Sequence, residues 1–319
     1  VVGVLARGLA VRTDLVVDAT GRRSAVPTFV EAVGARRPAE HRADAGFVYY
    51  TRHFRADPRR GGLPRATSTM LSHFDSVSLL TLPCDNDTWG VGIIASSRDK
   101  HCKALRDARV WERVIAIYPA QAAWAQGTPI TGVQSLAGIE DRSRSYLVDG
   151  EPVVTGLVAV GDSWACTNPS LGRGASLGLM HAVALRDAVR VAGVTAELAV
   201  VFAEATRLQV QPMFDKTVAF TNHRIAEIDA DIAGRPYRTD DQGWAMSNAL
   251  YAAAYTDPEA LRSYLSIAAL LCTPEEVFAT PGLAGRVLQT SAGAPRYGLP
   301  GPNRAELIDA LGAAARAIA

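Results

Sequence analysis

The residues best placed to do chemistry are one carboxylate and a set of glycines. Asp162 follows Gly161 at the end of an apolar, β-branched run, Val153 to Val160, and Pro169, Gly172, Gly174 and Gly178 come next. Such a run predicts a short buried strand, and open α/β sheets bind ligands beyond the C-terminal ends of their strands. A carboxylate there can accept hydrogen bonds from sugar or ribityl hydroxyls. Glycines lack Cβ and let the backbone approach a flat or phosphorylated ligand. Leu177, Met180, Ala184, Leu185, Ala188 and Val191 then share one helical face. The start of that helix offers unpaired N–H groups and a partial positive charge, which stabilises an anion. Taken alone, Gly172-x-Gly174 is better explained by packing, because such pairs are common. The order Gly-Asp, Pro, Gly-x-Gly, helix is more specific.

That order resembles the second flavin-binding motif of the para-hydroxybenzoate hydroxylase-like FAD-dependent monooxygenases, on Gly161, Asp162, Pro169, Gly172 and Gly174. The resemblance implies that Asp162 holds the ribityl chain of FAD. It also implies that Gly172, Gly174, Ala175 and Ser176 lie at the pyrimidine edge of the ring. The chain departs from the motif at Trp164 and Ala165, where a small residue and a His are usual. It departs again at Ser176, usually Asn, and at His181, often acidic. His181 lies on the apolar side of the helix, so it reads as a core histidine rather than a base. Trp164 reads as a flavin contact or a loop anchor.

A second stretch, Asp14-Leu-Val-Val-Asp-Ala-Thr-Gly21-Arg22-Arg23-Ser24, resembles the Ala-Thr-Gly motif of two-dinucleotide flavoproteins. It also overlays the Asp-Gly motif of the hydroxylases, with Thr20 in the Asp position. The resemblance implies that Thr20, Gly21 and Arg22 lie near the pyrophosphate, and a guanidinium matches phosphate bidentately. The implied activity uses NADH or NADPH to reduce FAD and O₂ to form a C4a-hydroperoxyflavin. That species hydroxylates or epoxidises a small organic substrate. A flavin-dependent halogenase or a prenyl reductase would share this fold. A non-catalytic binding protein that lost FAD is the alternative of another class. The family also opens on a strand-Gly-x-Gly-x-x-Gly-helix unit that holds the pyrophosphate. No such unit occurs here and the chain opens Val1-Val2-Gly3-Val4, so we expect a FAD-binding domain truncated at its N-terminus.

The elements that must position these residues follow from hydrophobic period and turn chemistry. The fold class expected is α/β with α+β elements: a Rossmann-like FAD-binding sheet, an inserted and mostly antiparallel substrate sheet, and a helical C-terminal region. Residues 1–35 and 130–195 form the partial FAD-binding domain, 36–129 the substrate-binding sheet with a helix, and 196–319 the helical region. Val1 to Leu5 and Leu15 to Asp18 read as strands around a turn at Gly8. Gly46 to Arg55, Ser76 to Leu82 and Thr88 to Ala95 read as antiparallel strands, with turns at Arg59-Arg60-Gly61-Gly62 and Cys84-Asp-Asn-Asp87. Alternation puts Val48, Tyr50, Arg52 and Phe54 on one face and Tyr49, Thr51, His53 and Arg55 on the other. Tyr50 and Arg52 are the substrate-binding candidates, although sequence does not choose the face and strand aromatics are more often core. Lys103 to Tyr118 reads as one amphipathic helix. Gly138-Ile-Glu-Asp-Arg-Ser-Arg144 is charged enough to face water or line substrate access. Pro212 ends or kinks a helix carrying Leu198, Val201, Phe202, Ala205 and Leu208. Asp257-Pro258-Glu259, Thr273 to Glu276 and Asn303 to Glu306 open further helices.

Composition sets the outer bounds. The chain has 319 residues, 48% hydrophobic and 20% charged, with net charge +1, which suits a globular protein of one large or two moderate domains. Arg36-Arg37 and Arg59-Arg60 are isolated pairs, so no nucleic-acid patch is expected. Cys84, Cys102, Cys166 and Cys272 form no Cys-x-x-Cys and read as reduced thiols of a cytoplasmic protein. No apolar run approaches the roughly 20 residues of a membrane span. The histidines carry no metal-ligand spacing. A small organic substrate, FAD and NAD(P)H are the partners expected.

Overall fold

A computed structural model describes residues 1–57 and 62–316, with side chains described up to Gly312. Arg59, Arg60 and Gly61 of the first expected turn lie outside the described residues. The chain divides into two compact units: Val1–Asp44 with Glu140–Phe220, and Ala45–Ile139 with Thr221–Ala319.

The first unit opens with a hairpin of β1 (Gly3–Ala6) and β2 (Leu9–Arg12). The turn needs positive φ at Arg7 (49°) and Gly8 (81°), the geometry of a two-residue hairpin loop. Strand β3 (Val16–Asp18), helix α1 (Val26–Ala32) and strand β4 (Ala39–Asp44) follow. Residues 36–44 are expected from sequence with the substrate sheet. Instead β4 pairs along its length with a later strand of this unit.

The second unit begins with a sheet: β5 (Phe47–Arg55), β6 (Leu71–His73), β7 (Val77–Pro83) and β8 (Thr88–Ser96). The β7–β8 turn places Asn86 and Asp87 both at φ 54°. The helix expected over Lys103 to Tyr118 is broken. A 3-10 segment, His101–Arg106, precedes α2 (Ala108–Ala116), because the Asp107 carboxylate caps a new helix start at Arg109 N and Val110 N. Helix α3 (Pro119–Ala122) leads to β9 (Thr128–Pro129) and β10 (Gln134–Leu136). β10 pairs with β5, so this stretch stays in the antiparallel sheet and does not return to the parallel one. The sheet order is β10-β5-β8-β7-β6, with β9 also on β5.

The chain then re-enters the first unit. Strand β11 (Glu140–Ser145) pairs antiparallel with β4 and with β15 (Ala165–Cys166). The charged stretch expected at the surface is therefore a strand, with Asp141 3% and Arg144 4% exposed. A hairpin of β12 (Leu147–Val148) and β13 (Glu151–Pro152) precedes β14 (Leu157–Ala159). The strand expected from Val153 shrinks to these three residues, because Gly156 turns at φ 73° just before it. β14 pairs parallel with β3, and this pair is the Rossmann-like element of the described residues. Helix α4 (Gly174–Ala192) buries Leu177, His181, Ala184, Leu185 and Ala188, while Val191 is exposed. Helix α5 (Leu198–Gln209) ends just before Pro212, and α6 (Gln211–Ile232) passes from the first unit to the second after Phe220. The C-terminal helices thus do not form a region of their own.

In the second unit α7 (Gln242–Ala253), α8 (Pro258–Ala268), α9 (Pro274–Phe278), α10 (Leu283–Ser291) and α11 (Arg304–Arg316) complete the chain. The three expected helix starts are present. Asp257 caps α8 and Thr273 closes a capping box with Glu276. Asn303 and Glu306 cap reciprocally, at 2.8 and 3.1 Å. The core of this unit joins one sheet face (Val48, Tyr50, Phe54, Leu79, Trp89, Val91, Ile93) to α2 and α11 through Trp111, Val114, Leu307 and Leu311. Among the described residues no helix is long and apolar enough to cross a membrane.

Candidate functional site

The parallel pairing sets Asp18 opposite Ala159, so the turns after β3 and β14 leave the same sheet edge. Val160 N donates to Asp18 O at 3.0 Å. The Asp18 side chain is 2% exposed and organises both turns. It accepts from Thr20 N (3.0 Å), Thr20 Oγ1 (2.6 Å), Ser163 Oγ (3.0 Å) and Ser24 Oγ. Burial pushes its pKa up, but the Ser24, Thr20 and Ser163 donors outweigh burial and hold the carboxyl below its ordinary value. Ser163 Oγ also accepts from Gly21 N at 2.7 Å. The Ala-Thr-Gly turn and the Gly-Asp turn are therefore one hydrogen-bonded body. Sequence reasoning missed Asp18 and Ser163. The signal for Asp18 was its place as the one acidic residue within the Val16-Val17-Asp18-Ala-Thr run.

Asp162 is exposed. A Cβ built on Gly174 would stand 3.8 Å from Asp162 Oδ1, so the carboxylate lies beside the start of α4. Two glycines permit this. A Cβ on Gly161 would sit 3.6 Å from the Gly178 Cα, and Gly161 itself is at φ +57°. Behind the turn, His181 Nδ1 accepts from Gly161 N at 3.2 Å and Nε2 meets Thr206 Oγ1 at 2.9 Å. Because Thr206 Oγ1 donates to Phe202 O, we assign the imidazole proton to Nε2. His181 is thus a satisfied core histidine. Trp164 packs on its ring at 4.6 Å and on Phe214 at 5.8 Å, which makes it a loop anchor.

The α4 start is bare. Arg173 holds the N-cap position with no side-chain cap bond, and its guanidinium donates to Thr217 instead. Gly174, Ala175 and Ser176 are exposed, and their N–H groups have no carbonyl within the helix. Gly172 is left-handed at φ +66° with open space at its Cβ position. Before it, Pro169 begins a 3-10 turn capped by Asn168 on Ser170 N. Gly161, Asp162 and Gly174 thus lie together, joined through Ser163 to the Gly21 turn between Thr20 and Arg22, with Ala175 and Ser176 next along α4 and Pro169 and Gly172 on the loop before it. Thr20 spends its hydroxyl on Asp18. Gly21 is at φ +85° with open space, and the Arg22 side chain is exposed. A cavity of about 380 Å³ lies behind these turns, lined by Tyr146, Trp164, His181, Phe202 and Phe214. Asp162, Gly172 and Gly174 do not line it.

The substrate candidates fall elsewhere. Tyr50 is 2% exposed within the second unit's core, and its carbonyl accepts from Trp111 Nε1 at 2.9 Å. Arg52 is committed to Glu112 and to the Thr131 carbonyl. Both lie on the sheet face that α2 and α11 cover. On the opposite face, His73 and Ser78 are covered by Arg224, Tyr251 and Tyr297. Thr51 and His53 remain half-buried there, opposite Gly92 and Gly90. A Cβ on Gly92 would meet Thr51 Oγ1 at 3.2 Å, and one on Gly90 the His53 ring at 3.4 Å. The Thr51 and His53 side chains thus pack over the bare backbone of Gly92 and Gly90.

No protein-family model matches the chain. It is 30% identical over 180 residues to Protein Rv3254 of Mycobacterium tuberculosis, which covers 56% of this chain and 38% of that protein. Among solved structures, PqsL of Pseudomonas aeruginosa, described as a probable FAD-dependent monooxygenase, superposes with a TM-score of 0.50. The identity is 16%, over 71% of this chain and 60% of that one. HpxO of Klebsiella pneumoniae, solved with FAD and uric acid, gives 0.48 at 16% identity over 88% and 61%. The chain has the fold of FAD-dependent monooxygenases. It spans less than two thirds of each of these proteins.

Proposed function

We propose that this chain supplies the ribityl- and ring-contacting part of a FAD-dependent oxidoreductase that works as a monooxygenase. NADH or NADPH would be the electron donor, O₂ the oxidant and a small organic molecule the substrate. The observation that carries this reading is the juxtaposition of an exposed Asp162 carboxylate with the start of α4, whose N-cap residue makes no side-chain cap bond. The residues fit the group. A carboxylate accepts from ribityl hydroxyls, while bare amides and a 19-residue helix end donate to ring oxygens and favour negative charge. Bound there, FAD supplies hydride acceptance and oxygen activation.

The chain's own residues have binding and shaping roles. Asp162 orients the ribityl chain, and Gly172, Gly174, Ala175 and Ser176 approach the ring edge with backbone alone. Pro169 and Gly161 fix the two turns, and Thr20 holds the Gly21 turn to Asp18. The exposed Arg22 guanidinium suits a phosphate. With Tyr50 in the core and Arg52 committed, the half-buried Thr51 and His53 on the face away from α2 and α11 are the substrate-facing candidates. Four free thiols support a cytoplasmic setting.

The test is an absorption spectrum of the purified protein with added FAD, followed by NAD(P)H oxidation and O₂ uptake against candidate substrates. Retained flavin and substrate-stimulated oxidation are expected. A protein that stays colourless with excess FAD contradicts the reading. Strict halide dependence would move it to a halogenase.

A further inference from the structure

The charged strand β11 has no evident reason to be buried. Its side chains alternate as a strand requires, and one face reaches two turns of the first unit while the other reaches a third. Arg144, 4% exposed, directs its guanidinium into three acceptors: Glu40 Oε2 through Nε at 2.6 Å, Ser163 O through Nη1 at 2.8 Å and Arg22 O through Nη2 at 3.2 Å. Arg142, on the same face, donates to the same Arg22 carbonyl at 2.8 Å. Asp141, on the other face and 3% exposed, accepts from Asn168 N at 2.8 Å. The Arg144 backbone N–H also donates to Trp164 O at 2.8 Å.

Ser163 follows Asp162, Arg22 follows Gly21, and Asn168 precedes Pro169. One strand therefore touches each of the three turns that carry the candidate flavin contacts. We propose that β11 is the strut that sets these turns relative to one another, with Arg144 as its principal positioning residue. Arginine is the residue type that can do this. Its planar fork reaches two carbonyls on separate turns while Nε answers the Glu40 carboxylate, and a lysine ammonium presents one point of donation on a flexible stem. The strut itself is a feature of the protein without flavin. Its consequence for cofactor binding rests on the function proposed above.

The experiment uses Arg144→Lys, Arg144→Met and a control, Ser143→Ala, on the neighbouring face. Amide hydrogen exchange is measured first in the protein without flavin. Both Arg144 variants are expected to accelerate exchange at Gly21 and Ser24 and at Ser163 and Trp164 together, with β5 and β8 unchanged. Acceleration in one turn only, in neither, or uniformly through the molecule overturns the strut. FAD affinity is measured next by flavin fluorescence, with visible circular dichroism of the bound flavin. Loss of two hydrogen bonds from a charged donor predicts at least about tenfold weaker binding in both variants, a changed flavin dichroism and no rescue by lysine. Wild-type affinity and spectrum in Arg144→Lys overturn the functional part. If the unsubstituted protein takes no FAD, the flavin reading falls, and the exchange result alone decides the strut.

Discussion

His181 is a residue whose role the sequence made legible and whose consequence the structure makes measurable. Burial pushes its pKa down to about 4 from 6.5, and Gly161 N and Thr206 Oγ1 take both ring nitrogens. The folded protein therefore binds fewer protons than the unfolded chain between those two values. Stability from this site is complete above about pH 6.5 and is lost as pH falls towards 4, by up to about 3 kcal/mol. Denaturant unfolding at pH 7 and pH 4.5 should show the loss, and His181→Gln should flatten the difference while still accepting from Gly161. An unchanged pH dependence in that variant would contradict the assignment. Tyr50 and Arg52 went the other way. Strand alternation placed them correctly together, but a face is covered or open only through helices far along the chain, and no local pattern reports that.

At the scale of elements, the motif strand, turn and helix were readable because glycine, proline and period each leave a local mark. Strand β8 carries another such mark. Thr88-Trp-Gly-Val-Gly-Ile sends Trp89 and Val91 into the core and leaves Gly90 and Gly92 bare on the far side. Trp89 in turn dictates its neighbour. A Cβ on Gly127 would lie 2.4 Å from the Trp89 ring and 2.9 Å from the Arg55 carbonyl. Gly127→Ala should therefore cost about 1–3 kcal/mol by overpacking, read as a lower denaturant midpoint with Trp fluorescence. Stability equal to the parent would mean that the ring shifts freely. Strand β11 was illegible for the opposite reason. Glu140-Asp-Arg-Ser-Arg has the composition of a solvated loop, and its burial is offset by partners on β4 and on three distant turns. Helix α2 failed for a local reason, since the Asp107 cap competes with helix continuation.

At the scale of the molecule, the mixed α/β class was legible, while the partition into units was not. Each unit draws on two separate stretches of chain, and α5 gives no sign in its own sequence of which sheet it serves. If the first unit binds FAD as proposed, FAD at a hundred times its dissociation constant should raise unfolding stability by about 2.7 kcal/mol, seen as a higher Tm. The most direct test of the central claim is FAD affinity of the purified protein with and without Asp162→Ala, measured by equilibrium titration alongside Tm without flavin. An exposed carboxylate that accepts from ribityl hydroxyls predicts at least about tenfold weaker binding and an unchanged Tm. Equal affinity in the two proteins would mean that Asp162 and the α4 start do not hold the flavin.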